Sequence, residues 1–281
     1  MRGRTAGLPG APDRLRKSEL APIALRDARR PITDTLAPNP AGVRLAERRR
    51  YGTVLGAGMR TICILSRKGG TGKTTVSTSL TLAGHLRGRK VMLADVDPQH
   101  SSHYALSSRR SPGPRVEATC GGKLFAMKTV AELQDHDLFL IDTPAGLDAP
   151  IYQSIQIADL CLVVTRPNYL DLAAALATTN LLRQLSKPAL IVINQAPATR
   201  EGRESSATAK AREALRFVKY PVADAAPCSR FAYARAVSIG QSVEETEPRS
   251  PAAHEVRALW DEVAAAAAAP RMHDPRRAGF A

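Results

Sequence analysis

Lys68-Gly69-Gly70-Thr71-Gly72-Lys73-Thr74-Thr75 follows the apolar run Ile62-Cys63-Ile64-Leu65. It precedes a helical pattern that puts Val76, Leu80, Ala83 and Leu86 on one face. Strand, glycine loop, helix is the order a phosphate-binding loop requires. Glycine lets backbone N–H groups approach a phosphate with no Cβ in the way. The helix N-terminus adds the positive end of its dipole. Lys73 is placed to neutralise β- and γ-phosphate charge, and the Thr74 hydroxyl to ligate Mg²⁺. The competing reading is a glycine-rich turn with stray lysines, and it leaves the flanking strand and helix unexplained.

The usual pattern G-x-x-x-x-G-K-[ST] is not met in full, because Arg67 stands where its first glycine would be. Lys68 sits beside it. The stretch resembles the deviant loop K-G-G-x-G-K-[ST] of the ParA/MinD family of ATPases, and within it the small plasmid-type ParA partition proteins. The resemblance implies ATP and Mg²⁺ as ligands, with Gly69, Gly70, Thr71, Gly72 and Thr75 in the phosphate cradle. It also implies a homodimer formed on ATP, in which Lys68 reaches the nucleotide of the partner subunit.

The chain has 281 residues, enough for one α/β domain with extensions. Aromatics are only 4%, so the core is expected to be aliphatic. Cys63, Cys120, Cys161 and Cys228 form no C-x-x-C pair and read as core thiols of a reducing cytoplasm. No apolar run reaches the span of about 18 residues that a membrane helix needs. The net charge of +14 points to a polyanionic partner. Half of that excess lies in residues 1–58, with twelve Lys/Arg against five Asp/Glu.

Residues 1–58 are rich in Arg and Pro, and the expectation is disorder with a short helix near 44–50. This leader is either a basic arm or an over-extended reading frame, with Met59 as the alternative start. Such a short, Pro-rich leader is not expected to hold a winged helix. Residues 59–270 are assigned to the ATPase domain and 271–281 to a frayed tail. Apolar runs at 62–65, 91–94, 138–141, 160–164 and 190–193, with a weaker one at 222–225, predict strands. Helices are predicted at 74–87, 149–157, 170–185, 205–217 and 252–269. The alternation predicts a mostly parallel sheet with helices on both faces.

Ligands of such a sheet sit beyond the carboxyl ends of its strands. Leu93-Ala94-Asp95-Val96-Asp97-Pro98-Gln99 ends one strand there. It is similar to the D-x-D-P-Q switch of ParA proteins. That resemblance implies Asp97 as the acid that orients the attacking water, and Asp95 as an acid near the Mg²⁺ shell. Leu138-Phe139-Leu140-Ile141-Asp142 is four apolar residues and then a carboxylate, the pattern of a Mg²⁺-holding Walker B aspartate, with Gly146 in a responsive loop after it. Asn194 ends a third run and resembles the family's adenine-contacting asparagine, an amide being able to donate and accept at a base edge. Arg166-Pro167-Asn168-Tyr169-Leu170-Asp171 resembles a family segment to which no chemistry is assigned. His100 and His103 are read as surface residues rather than zinc ligands.

The C-terminal part looks like that of small ParA proteins, which implies nonspecific DNA binding. The candidate phosphate contacts are Lys187, Arg203, Lys210, Arg212, Arg216, Lys219, Arg230 and Arg235, each taken alone a solvated helix-face charge. The resemblance as a whole implies an ATP-dependent dimer on the nucleoid that segregates a plasmid or chromosome with a ParB-like activator. The open alternatives are another cargo (chemoreceptor cluster, microcompartment, conjugation complex) or a MinD-like division regulator. The Ala-rich, Pro-broken end is a poor membrane-targeting helix, so no stable membrane anchor is expected.

Overall fold

The computed structural model describes residues 58–199 and 203–269. The leader up to residue 57, its expected helix near 44–50 and the expected tail at 271–281 lie outside the described residues. Among the described residues six strands form one sheet: β1 (Arg60–Ser66), β2 (Val91–Asp95), β3 (Arg115–Ala118), β4 (Leu138–Ala145), β5 (Leu160–Thr165) and β6 (Ala189–Ile193). The spatial order is β3-β2-β4-β1-β5-β6, and every pairing is parallel. All but β3 are central or two-sided strands and read as near-continuous apolar runs, as burial on both faces demands.

Successive side chains alternate between the faces. Ile62 and Ile64 of β1 join one core with Val76 and Leu80, while Cys63 and Leu65 join another with Ile151 and Ile155. The first face carries α1 (Lys73–Leu86), α7 (Phe231–Val237), α8 (Val243–Thr246) and α9 (Pro251–Ala268). The second carries α4 (Ala149–Ile157), α5 (Tyr169–Gln184) and α6 (Ser206–Leu215). Two further helices, α2 (Ser101–Ser107) and α3 (Leu124–Leu133), flank the β2 side.

The α9 stripe of Val256, Leu259, Trp260 and Val263 is buried as its periodicity requires. Leu86, the last residue of α1, departs from the expected stripe and is 41% exposed. The run at 222–225 makes only an isolated bridge, Val222 to Ile191, and no strand. Three of the four cysteines are buried and all are free, with Cys63 and Cys161 facing each other across β1 and β5. Among the described residues, no helix is long and apolar enough to cross a membrane.

Candidate functional site

The carboxyl ends of β1, β2, β4, β5 and β6 converge around the loop between β1 and α1. Gly70 and Gly72 have φ of 75° and 87°, the left-handed region that costs glycine least. Gly72 caps α1, and a Cβ on it would lie 2.3 Å from Asn194 Nδ2. The missing side chain is therefore also space for the β6 loop. Within the loop the two lysines differ. Lys73 is buried, and desolvation lowers its pKa against the pull of Asp142 and Asp97. Lys68 is exposed and has no ion pair among the described residues.

The two acidic motifs fall beside this loop but play unequal parts. Asp95 is fully buried. Its Oδ1 accepts from the Asp97 N–H at 3.0 Å, and its Oδ2 from Ser102 Oγ at 2.6 Å and the His103 N–H at 2.9 Å. Three of the roughly four acceptor positions of a carboxylate are thereby filled. Asp95 thus organises the turn that carries Asp97 and the start of α2. Asp97 is half-buried and accepts from the Gln99 N–H at 2.9 Å. His100 and His103, read from the sequence as surface residues, are half-buried in that turn, where the His103 N–H bonds Asp95.

Asp142 is 1% exposed, and neither of its oxygens has a hydrogen-bond partner among the described residues. Burial raises its pKa to about 7, the Asp95 charge adds to the rise, and the Thr74 hydroxyl, the Ser102 hydroxyl and Lys73 offset part of it. Orphaned buried carboxylate oxygens are costly unless a cation takes them. Asp142 with the neighbouring Thr74 hydroxyl is an oxygen donor set that fits Mg²⁺, which would offset the charge of bound phosphates. Gly146 has φ of 120°, so the loop after β4 uses a conformation few other residues adopt.

The β5 and β6 loops hold the phosphate-binding loop from outside. Asn194 is buried; its backbone N–H donates to the Thr165 carbonyl at 2.8 Å and its Nδ2 to the Thr71 carbonyl at 2.8 Å. Gln195 Nε2 donates to the Gly70 carbonyl at 2.9 Å. The amide expected at an adenine edge is thus tied by its nitrogen to the loop backbone. Gln195 adjoins Asn194 in sequence, but nothing in the sequence marked it as a loop contact.

The basic candidates do not form one free cluster. Lys187 donates to the carbonyls of Gln156 and Ala158, closing the end of α4. Arg212 bonds Glu204 and the carbonyls of Ala223 and Asp224. Arg230 is held by Glu255, which also takes the Tyr233 hydroxyl. Arg216 and Arg235 form exposed ion pairs with Glu213 and Glu247. Arg203, Lys210 and Lys219 are exposed. Among the described residues, no group of three or more His, Cys, Asp or Glu side chains could hold a metal ion.

Fold and site together define a P-loop nucleotide-binding protein of the parallel α/β class. Comparison with known proteins narrows the class. Residues 62–230 match the CobQ/CobB/MinD/ParA nucleotide binding domain, and the chain belongs to that family. It is 28% identical over 212 residues to the maintenance of carboxysome distribution protein A of Halothiobacillus neapolitanus, covering 72% of this chain and 95% of that one. It is 27% identical to the chromosome-partitioning ATPase Soj of Thermus thermophilus, covering 75% and 98%. The septum site-determining protein MinD of Pyrococcus horikoshii, complexed with Mg-ADP, superposes with a TM-score of 0.58 at 22% identity over 73% and 96% of the two chains.

Proposed function

We propose that this chain is an ATP hydrolase that closes into a homodimer around ATP and Mg²⁺, opens after hydrolysis, and uses that cycle to position a cargo. Residues 59–270 form the ATPase domain of this reading. Its roles are Lys73 on the phosphates, Thr74 and Asp142 on Mg²⁺, Asp97 as the acceptor that aligns water, and Lys68 on the nucleotide of the second copy. One contrast carries the reading: Lys73 is buried beside Asp142 and Asp97, whereas Lys68 in the same loop is exposed with no ion pair among the described residues. A cation left outward on a phosphate-binding loop suits a dimer that lasts only while the γ-phosphate favours it.

The cargo has two readings. Likeness to the carboxysome-distribution and Soj proteins supports a protein assembly or a DNA molecule. In both, a ParB-like activator would speed hydrolysis, and nonspecific DNA would serve as the track, through Arg203, Lys210 and Lys219 rather than the tied Arg212 and Arg230. A membrane-bound regulator is less favoured, since α9 spends its apolar face on the core. Sedimentation with ATP, ADP and no nucleotide tests the dimer, and DNA binding under the same conditions across a salt series tests the track. Dimers and salt-sensitive DNA affinity only with ATP are expected. A monomer in all three overturns the reading.

A further inference from the structure

Arg166 opens the loop after β5 and has no part in the roles above. Its Nε donates to Asp171, a carboxylate 3% exposed. Asp171 Oδ2 also accepts from Asn168 Nδ2 at 3.1 Å, and the Asp171 N–H donates to Asn168 Oδ1 at 3.0 Å. The guanidinium is therefore fixed through one nitrogen, and Nη1 and Nη2 form no hydrogen bond among the described residues. Nη1 points at the loop, 3.8 Å from where a Cβ on Gly70 would stand. The side chain is 35% exposed, and Lys68, Gly69 and Gly70 are exposed as well.

An arginine with a buried anchor and two unspent nitrogens in a fixed fork is shaped to take oxyanions. A brace for the loop would spend those nitrogens on backbone carbonyls, as Asn194 and Gln195 spend theirs. We propose that Arg166 is a second cation, beside Lys68, that contacts the triphosphate enclosed between two copies of this chain. The inference rests on the dimer reading. In the open chain water screens the guanidinium. Closure excludes that water and strengthens the attraction, so the contact favours the ATP-bound dimer over the ADP-bound monomer.

Sedimentation of the full chain with Mg²⁺ and ATPγS, beside fluorescent-ADP titration, tests this on Arg166→Gln and Arg166→Lys. The glutamine variant is expected to need about tenfold more protein to dimerise while binding ADP within about twofold of wild type, and lysine to restore part of the loss. Wild-type dimerisation by Arg166→Gln overturns the inference and leaves the dimer reading standing. Equal losses in ADP and ATPγS binding make Arg166 a brace and also overturn it. A wild-type chain that stays monomeric with ATPγS overturns both.

Discussion

Asp95 and Asp142 are register partners across β2 and β4, both buried, yet among the described residues Asp95 has three hydrogen-bond donors and Asp142 has none. One carboxylate is built into the frame and the other is held ready for a cation. Asp142→Asn should therefore stabilise the ligand-free protein by about 1–3 kcal/mol, since an amide removes the buried like charge. The same variant should lose the extra thermal protection that Mg²⁺ adds to bound nucleotide. Melting curves with and without Mg-ADP check both halves, and a variant less stable than wild type without ligand would contradict the account.

Asp95→Ala should act in the opposite direction. It strands the Ser102 hydroxyl and two backbone N–H groups, and a cost of about 2–4 kcal/mol follows from losing a buried network. Hydrogen exchange should rise first in residues 97–103, which that carboxylate holds. Ser102→Ala removes one of the three donors and should cost about 1 kcal/mol.

Asp97→Ala should leave fold and nucleotide affinity nearly unchanged, because the side chain is half-buried and accepts a single local hydrogen bond. Turnover should fall by at least about a hundredfold, with ATP-bound dimers accumulating. Phosphate release beside sedimentation checks this, and wild-type turnover would remove the role given to Asp97.

Gly72→Ala should abolish nucleotide binding. It forces a side chain into the left-handed region, at about 1–2 kcal/mol, and drives a methyl into the Asn194 amide. Gly84→Ala is the control on the same helix. Its Cβ would meet the Trp260 ring at 2.9 Å, so stability should fall by about 1–3 kcal/mol with the loop intact. Calorimetry and ADP titration separate the two.

Acid stability should depend on Glu255 and Glu245. Burial pushes both carboxyls up, but hydrogen bonds outweigh it and hold both below the ordinary range: Arg230, the Cys228 N–H and the Tyr233 hydroxyl for Glu255, Arg109 and the Ser242 N–H for Glu245. The unfolded chain then binds more protons than the folded one as pH falls. The stabilisation is complete above the unfolded value of about 4.3 and disappears as pH drops through the lower folded values. Urea midpoints between pH 7 and pH 3 should show this loss, with a shallower slope and lower neutral stability in Glu255→Gln.

What the sequence made legible follows from how each signal is written. The central strands are apolar runs because both faces are buried, and α4 and α9 carry their own periodicity, so all were readable. The edge strand β3 was not. Its residues, Arg115, Val116, Glu117 and Ala118, are exposed or half-buried, so it carries no apolar run to find, unlike β6 at the opposite edge, which is buried throughout. Helix α3 was missed for a related reason: Phe125 and Leu133 are 72% and 80% exposed, which breaks the stripe. In the site, the lysines and acids next to glycines and apolar runs stood out. Asn194 stood out too, but its tie to Thr71 joins residues 123 positions apart and only the sheet order brings them together.

Because the Asn194 amide occupies the volume a side chain at position 72 would need, the two positions share one parcel of space and cannot drift independently. Among descendants of this chain that keep a working cradle, glycine at the first position and a compact amide at the second should be inherited as a pair. A laboratory lineage selected for nucleotide binding should lose or keep them in concert.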